Sequence, residues 1–431
     1  MFQQRSKTAS RADHNMMREL NRSLVLDLLK QSSPISRAAL AKATRLAKPT
    51  VSAIVEDLID DGLVDEIGVG VTTTGGGRPP IMLQFNARSQ FVAGVHIGVH
   101  RTTIVVADAC GQEVGRLETA TSKAGAARLL KQVAAGIRST LHQADASEDR
   151  LAAVGVCMPG LTDSEEGICL LAPNLGWRNV DVRRLLGQAL DVPITVHNAS
   201  QAVLVAECTE GAGQGETEVV LLYVGTGVGA ALLVDGRLHH GIGGVAGEIG
   251  HCRVSGATEQ CNCGKVGCLE TVASGPAIAR AAQQAVQDGR ASLLSGSIAH
   301  PADISPEDVA AAAAQGDSLA LEVLAAAGRE LGQGASWLIN LFNPAVVIVS
   351  GGLVAIGEPL LGPLRQSARE NSLPQSGARA EIRVARLGQD SEVRGAVLLA
   401  LQCAETYYRV VVKGSDRRRS DLSALDAGQP A

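Results

Sequence analysis

Apolar and polar positions in the first 86 residues alternate with helical spacing three times and then with strand spacing twice. A second helix can begin at Ser36, whose hydroxyl suits a cap, and a third at Pro49, a residue favoured in the first helical turn. Helix, helix, turn, helix and two strands predict a winged helix-turn-helix over residues 14–86. The predicted elements are helices at 14–30, at 36–42 and from Pro49 to Gly62, and strands at 63–67 and 81–85.

The polar side of the third predicted helix is the expected DNA surface, since this helix enters the major groove in such domains. Thr50 and Ser52 are candidates for base or phosphate contacts, and Arg45 and Lys48 for phosphates. Arg78, within GGGRPP, is a candidate for a narrow minor groove. The alternative is a solvated three-helix cap whose charges only keep it soluble.

From Phe91 onward, β-rich runs alternate with helical stretches, which predicts an α/β body with mixed sheets. The end of the chain, 409–431, lacks apolar periodicity and is expected to be a disordered tail. The predicted strands include 151–158, 194–197, 219–223, 230–234 and 345–350, and the predicted helices 126–144, 201–210, 275–286, 306–340 and 392–407.

Charge is unevenly placed along the 431 residues, whose net charge is −5. Residues 1–55 carry ten Lys and Arg against three Asp and Glu, so a basic head precedes an acidic body. The natural partner of a basic module is a phosphate backbone, which favours DNA binding over the solvated cap. The chain lacks an apolar signal segment and an uninterrupted apolar span, so we expect a cytoplasmic protein with no membrane partner.

A histidine and three cysteines between Gly247 and Glu270 have the spacing of a metal site. Four N and S ligands with no open position describe structural Zn²⁺. A disulfide is disfavoured because a C-x-C bridge is strained, and core cysteines are disfavoured because CNCGKVGC is polar and rich in glycine. Neighbouring Cys252 is expected to point elsewhere. The predicted ligands are His251, Cys261, Cys263 and Cys268.

Three further motifs accompany this cluster: APNLGW at 172–177, VGTGVG at 224–229 and SGGL at 350–353. Together with the cluster they resemble the ROK family of sugar kinases and repressors, and the winged helix in front resembles its repressor branch. The resemblance implies a two-lobed, actin-like sugar-kinase fold over 87–408, with a sugar between the lobes. Lobe one would comprise about 87–196 plus 389–408, and lobe two about 197–388.

The resemblance also implies a set of sugar-binding residues. His251 would give one ring nitrogen to zinc and the other to the ligand, so that the metal fixes its orientation. The alternatives are satisfied turn residues for the two asparagines and solvated charges for the two glutamates. The implied ligand residues are Asn174, Asn198, Glu248, His251 and Glu270, with Gly155, Pro159 and Gly160 in the pocket loop.

Two departures from the family pattern argue against kinase activity. The family's Asn-Asp pair, whose Asp is the catalytic base, is Asn198-Ala199 here, and an alanine methyl cannot accept a proton. The phosphate loop on the first strand has His96, Val99 and His100 in place of Asp, Gly and Thr. We therefore expect no enzyme.

The leading hypothesis is a repressor of sugar uptake or catabolism genes. It would bind double-stranded operator DNA as a homodimer or homotetramer and respond to a sugar or sugar phosphate. The alternatives are an ATP-dependent sugar kinase with a DNA-binding head, and a regulator controlled by a protein partner.

Overall fold

The N-terminal domain contains the three helices and two strands that the sequence predicts, together with a short strand, β1, that it does not. The protein is described by a computed structural model over residues 3–70, 79–297 and 300–411. Its first sheet has the strand order β1-β3-β2. The wing tip, including Arg78, lies outside the described residues. The elements are α1 (Gln3–Ser32), β1 (Ile35–Ser36), α2 (Arg37–Thr44), α3 (Lys48–Asp60), β2 (Val64–Val69) and β3 (Ile81–Phe85).

Local sequence explains where these helices begin and end. The Ser36 hydroxyl accepts a hydrogen bond from the Ala39 N–H at 3.2 Å and caps α2. Gly62, with φ +71°, follows the end of α3, where other residues would be strained. Helix α1 differs from the prediction because it begins at Gln3 rather than residue 14. Along this helix, Val25 and Leu29 are buried whereas Met17, Leu20 and Leu24 are exposed.

The first lobe is formed around a five-stranded sheet of order β11-β7-β4-β5-β6. Strands β4, β7 and β11 run parallel, and β5 and β6 continue the sheet antiparallel. The pattern did not predict β6, the small sheet β10-β9-β8 or α5. The elements are β4 (Phe91–Ile97), β5 (Arg101–Asp108), β6 (Glu113–Ala120), α4 (Ala126–Gln143), β7 (Leu151–Met158), β8 (Leu161–Asp163), β9 (Ile168–Ala172), β10 (Trp177–Asp181), α5 (Val182–Leu190) and β11 (Ile194–Asn198).

The second lobe is formed around a sheet of order β14-β13-β12-β15-β16. The helix predicted over 306–340 is two helices, because Asp317 accepts a hydrogen bond from the Ala320 N–H at 2.8 Å and starts a new one. The elements are α6 (Ala199–Glu210), β12 (Val219–Val224), β13 (Val228–Val234), β14 (Arg237–Leu238), α7 (Glu270–Ala273), α8 (Gly275–Gln287), α9 (Leu294–Ser297), α10 (Pro306–Ala314), α11 (Ser318–Phe342), β15 (Val346–Ser350), α12 (Glu358–Asn371), α13 (Pro374–Gly377), β16 (Glu381–Val384) and α14 (Ser391–Val411).

Helix α14 returns the chain to the first lobe and joins it to α6. A Cβ added at Gly94 would lie 2.7 Å from the Val397 backbone nitrogen, and one at Gly395 would lie 1.9 Å from the Ala202 carbonyl oxygen. Glycine therefore permits backbone contact on both sides of α14. This helix continues to Val411, so the predicted tail begins three residues too early, and the remainder of that tail is outside the described residues.

In the described part of the chain, no helix by itself has the length and apolarity to cross a membrane. The helices α10 and α11 meet that test together, with a bend of 118° between them.

Candidate metal centre and ligand cleft

The four predicted metal ligands converge in the structure. The ligand atoms of His251, Cys261, Cys263 and Cys268 all lie within 4.8 Å of one another. The His251 Nδ1 atom lies 3.6 Å from the Cys261 sulfur, and the Cys263 and Cys268 sulfurs are 3.7 Å apart. Cys252 is exposed and outside this group, as predicted. One imidazole nitrogen and three sulfurs at this spacing form a set that can bind one metal ion.

Tight turns bring these ligands together. Gly264 and Gly267 have φ values of +89° and +77°, which glycine adopts without strain. Between them the chain reverses, and the Cys261 N–H donates to the Lys265 carbonyl oxygen at 2.8 Å. A Cβ at Gly267 would lie 2.6 Å from the Ala257 carbonyl oxygen, so a larger residue would displace the loop that carries Cys268.

Without a metal, the cysteines of this cluster differ in how readily they lose a proton: the pKa of Cys263 is lowered by hydrogen bonds from its neighbours in spite of burial, whereas the pKa values of Cys268 and Cys261 are raised. Burial, followed by hydrogen bonds and repulsion from the neighbouring cysteines, raises the pKa of Cys268 to about 12. Burial also raises the pKa of Cys261. Metal ligation requires thiolates, so a divalent cation entering this cluster would release protons and remove the repulsion.

The His251 ring connects the cluster to a carboxylate outside it. Its Nδ1 atom faces Cys261, whereas its Nε2 atom lies 3.7 Å from the Glu248 Oε2 atom. Burial raises the pKa of Glu248 and the charge of Glu270 adds to that rise, whereas His251 opposes it. A metal on Nδ1 would leave the proton on Nε2, directed toward Glu248.

Glu270 ties the metal loop to the glycine loop before β13. Its Oε2 atom accepts a hydrogen bond from the Val228 N–H at 3.0 Å. A Cβ at Gly227 would lie 2.5 Å from the same oxygen, so a larger residue there would displace the Glu270 carboxylate from its present position. Glu270 is thus a half-buried, hydrogen-bonded group rather than a solvated surface charge.

Asn198 caps α6 and lies close to the same strand. Its Oδ1 atom accepts hydrogen bonds from the Gln201 N–H and the Ser200 hydroxyl, both at 2.9 Å. The Ser200 hydroxyl is also 3.3 Å from the Ala230 carbonyl oxygen in β13. Within the described ranges the Asn198 Nδ2 atom has no partner, so the side chain combines a structural cap with an available donor. Ala199 follows as the first residue of α6.

The remaining predicted ligand residues divide into two groups. Pro159, Gly160 and Asn174 lie on the turns that flank β8 and β9, and Gly160 and Asn174 are exposed. Among the described contacts, none connects Asn174 to Glu248. The structure corrects the placement of Gly155 in the pocket loop, because this residue is buried within β7, where a Cβ would lie 2.1 Å from the Ala396 carbonyl oxygen.

The correction at Gly155 has a packing reason. Its register partners are Gly94 and Thr195, so both sides of its backbone are paired within the sheet, and α14 covers its face. Its glycine identity follows from the close approach of α14 and does not indicate a ligand.

A polar cluster beside His96 was only partly indicated by the sequence. The Tyr223 hydroxyl donates to the Glu392 Oε1 atom at 2.9 Å, and burial raises the pKa of this tyrosine. Burial lowers the pKa of His96, Glu392 opposes that effect, and Arg101 adds to it. Tyr223 and Glu392 are 169 positions apart, so no local pattern could have connected them.

A second buried polar group lies where the lobes meet. The His197 Nε2 atom lies 2.7 Å from the Thr195 hydroxyl, and its Nδ1 atom 3.3 Å from the Gln201 Oε1 atom. Gln201 in turn contacts the Ser164 hydroxyl at 3.2 Å and donates to the Gly244 carbonyl oxygen at 3.4 Å. These contacts connect β11 and α6 to the loop before the metal cluster.

The predicted DNA surface is available in the structure. Arg45, Lys48 and Thr50 are exposed and Ser52 is half-buried. Where the chain is described, none of these four side chains has an ion pair or a hydrogen bond. Arg45 adopts the left-handed conformation, φ 58°, at the end of α2. The surface therefore carries unpaired donors beside the start of α3.

Comparison with known proteins decides the family. The ROK family model matches residues 92–403. The chain belongs to the ROK family. A model described as winged helix-turn-helix DNA-binding matches residues 19–65, so the predicted head and the predicted α/β body are both confirmed.

Similarity to ROK repressors covers most of the chain. It is 29% identical over 391 residues to the xylose repressor of Caldicellulosiruptor bescii, covering 90% of this chain and 97% of that protein. It is 31% identical over 364 residues to the DNA-binding transcriptional dual regulator NagC of Escherichia coli K12, with coverage of 83% and 87%.

Solved ROK structures include both a regulator and a kinase. A ROK family transcriptional regulator, described as a homolog of the E. coli MLC protein, superimposes with a TM-score of 0.77 at 30% identity, covering 90% of this chain and 97% of that one. A ROK family glucokinase from Streptomyces griseus, in complex with glucose and AMPPNP, has a TM-score of 0.64 at 31% identity and covers 72% of this chain and 99% of its own. The regulator thus accounts for more of this chain than the kinase does.

Proposed function

We propose that this chain is a sugar-responsive, DNA-binding transcriptional repressor of the ROK family. The observation that carries the proposal is that one chain contains both a winged helix domain with an exposed helix α3 and a ROK domain. Similarity to the C. bescii xylose repressor over 90% of the chain supports the same combination of two domains. Such a protein would act on operator DNA in the cytoplasm.

The effector is a sugar or sugar derivative held beside the metal loop. Carboxylates and amides suit a sugar because its hydroxyls both donate and accept hydrogen bonds. Three contacts support a shared site. Glu270 accepts from the Val228 N–H at the start of β13, and Glu248 lies beside His251 of the metal loop. Asn198 is connected to β13 through the Ser200 hydroxyl. Pro159, Gly160 and Asn174 belong to its rim in the first lobe.

Structural Zn²⁺ is the metal that the ligand set favours, since three thiolates and one imidazole with no open position match its preference. His251, Cys261, Cys263 and Cys268 would hold it. Bound zinc would fix the loop that presents Glu248 and Glu270, and would keep the His251 Nε2 atom directed at the ligand side.

A sugar kinase is the second candidate, because a ROK glucokinase is similar to this chain. Three features oppose it. Ala199 offers no base beside Asn198. His96 is half-buried where the family's phosphate loop would begin, and the Glu392 carboxylate nearby is engaged by Tyr223. Removing a general base costs about 10² to 10⁴ in rate, so transfer from ATP to a sugar is expected to be undetectable.

Repression requires two heads to reach two half-sites, so we propose a homodimer or homotetramer. Half-sites lie about 34 Å, one helical turn, or a multiple apart. A change in lobe closure would alter the distance between the heads and weaken simultaneous binding. Coupling of this kind typically amounts to about 1–3 kcal/mol.

The test is fluorescence anisotropy on DNA that flanks the gene, with a panel of free and phosphorylated sugars. One sugar is expected to release the DNA. Lys48→Ala is expected to weaken binding at every sequence and lower the salt-dependence slope by about 1, whereas Arg128→Ala, an exposed arginine on α4, serves as the matched control. DNA binding that ignores every sugar but responds to cell extract would favour control by a protein partner instead.

A further inference from the structure

A cavity of about 580 Å³ lies in the second lobe, among α11, α12, α13 and β16. Its volume is within the range of small-molecule sites, about 300–1,000 Å³. None of the residues discussed above for DNA, metal or sugar lines it. It is therefore a separate feature of the fold.

Three guanidinium groups line this cavity: Arg365, Arg369 and Arg379. Arg365 donates to the Glu358 carboxylate at 2.7 Å, so its charge is partly compensated. Over the described residues, the Arg369 and Arg379 side chains have neither an ion pair nor a hydrogen bond. Both are exposed, so they keep their water and remain able to bind a ligand.

The carboxylate in the cavity does not neutralise these two arginines. Glu381 also lines the wall, but it forms an ion pair with Arg383 at 2.7 Å. A hydrogen bond from Arg383, the largest favourable influence on it, lowers the pKa of Glu381, so this carboxylate stays ionised and paired with Arg383. The cavity thus presents two uncompensated positive charges.

The rest of the cavity wall is apolar, and the two helices that form part of it pack closely against each other. Ile339, Ala368 and Ile382 line the cavity beside the arginines. Helix α12 is held tightly on α11, because a Cβ at Gly332 would lie 2.4 Å from the Leu364 carbonyl oxygen. The guanidinium groups of α12 are therefore carried on a rigid pair of helices, which favours a preformed site.

We propose that this cavity binds a small phosphorylated molecule as a second effector site. Arginine presents a planar fork of donors that matches phosphate oxygens two at a time. The phosphate would bind Arg369 and Arg379, with Arg365 reoriented or shared, and the remainder of the molecule would lie against Ile339 and Ile382. The proposal is independent of the sugar site proposed above.

Isothermal titration calorimetry of the full chain with inorganic pyrophosphate, in phosphate-free buffer at constant salt, tests this proposal. One pyrophosphate per chain is expected to bind. Each guanidinium-to-phosphate contact is worth about tenfold in affinity or more, so the double variant Arg369→Gln/Arg379→Gln is expected to bind at least about 100-fold more weakly.

The matched control is Arg128→Gln/Arg237→Gln, which removes the same charge from two exposed arginines on α4 and β14. It is expected to bind pyrophosphate like the unmodified chain. If both double variants lost affinity for pyrophosphate equally, the binding would reflect general electrostatic attraction and the proposal would be overturned. Absence of binding, or stronger binding of an acidic peptide at the same arginines, would also overturn it. The proposal would also be overturned if the unmodified chain bound no pyrophosphate and the Arg369→Gln/Arg379→Gln variant lost self-association. That result would show that the cavity is a contact between copies of the chain.

Discussion

At the residue scale, the same residue types have different roles because their neighbours differ. Cys252 and Cys263 are both exposed cysteines, yet only the sulfur of Cys263 lies within the metal cluster. His251 is half-exposed beside that cluster, whereas His197 is buried between Thr195 and Gln201. Residue identity is therefore informative only together with position.

Removing one ligand is expected to remove the metal. For the zinc proposed above, Cys263→Ser should reduce the bound metal from about one equivalent to near zero, because three ligands hold the ion less tightly than four. It should also lower the melting temperature, since metal-binding energy contributes to folding. Zinc content by mass spectrometry and thermal unfolding are the measurements.

The matched control for the metal is Cys252→Ser, an exposed cysteine outside the cluster. It should retain zinc and the melting temperature. Full zinc content in Cys263→Ser would show that this cysteine is not a ligand.

His197 is expected to make stability depend on acid. Burial, with smaller contributions from the charges of His240 and Arg183, lowers the pKa of His197 to about 4 from 6.5. Between these pH values the His197 imidazole binds a proton in the unfolded chain but stays neutral in the folded chain. Stability is thus complete above about pH 6.5 and falls by about 3 kcal/mol as the pH drops to about 4.

The contribution of His197 is isolated by comparing urea unfolding between pH 7 and pH 4.5 in two variants. His197→Gln should lose stability less steeply than the unmodified chain as the pH falls. His142→Gln, which removes an exposed histidine, should follow the unmodified chain. Identical slopes in all three proteins would rule out this role for His197.

At the scale of elements, close backbone contact explains glycines that the sequence pattern placed in a ligand loop, as for Gly155, or inside a helix, as for Gly328 and Gly332. Strand β7 meets α14 through Gly155, and α11 meets α12 through Gly328 and Gly332. Carbonyl oxygens approach these positions too closely for a side chain. The glycines therefore set the distance between the elements that meet at them.

Gly155→Ala is expected to destabilise the fold by at least about 2 kcal/mol, because overpacking forces β7 and α14 apart. Gly187→Ala in α5 is the control, since nothing lies within 4 Å of the added Cβ. That change should stabilise the helix by about 0.5–1 kcal/mol. Urea unfolding measures both, and a stable Gly155→Ala protein that fails to bind a sugar would restore Gly155 to the ligand set.

At the scale of the whole molecule, one buried carboxylate holds together the segments that connect the lobes. Glu207 in α6 is fully buried and accepts hydrogen bonds from the N–H groups of Ala212 at 2.8 Å and Leu387 at 2.9 Å. It also accepts from the Arg386 N–H at 3.0 Å. These contacts fix the chain just before α14, where it passes from the second lobe to the first.

Glu207→Ala is expected to destabilise the protein by about 3–5 kcal/mol, because several buried N–H groups lose their acceptor. Thermal and urea unfolding measure the effect, and Glu370→Ala, an exposed glutamate on α12, is the control. An unchanged midpoint in Glu207→Ala would show that water replaces the carboxylate and that the joint is held elsewhere.

Much of the architecture follows from the sequence by itself. The three helices and two strands of the head follow from apolar spacing, from Ser36 as a cap and from Gly62 as a stop. The metal cluster follows from ligand type and spacing, which are local. The alternation of strands and helices in the body follows from periodicity, because burial of one face leaves a regular pattern.

Other features were decided only by the tertiary structure. The exposure of Met17 and Leu20, the packing role of Gly155, the burial of Glu207 and the contact of Tyr223 with Glu392 depend on segments distant in the chain. The arginines around the second-lobe cavity meet for the same reason. The local pattern of apolar residues predicts whether a position faces the core. Which residue it contacts there depends on how whole helices and strands pack, and the neighbouring residues in the sequence do not determine that packing.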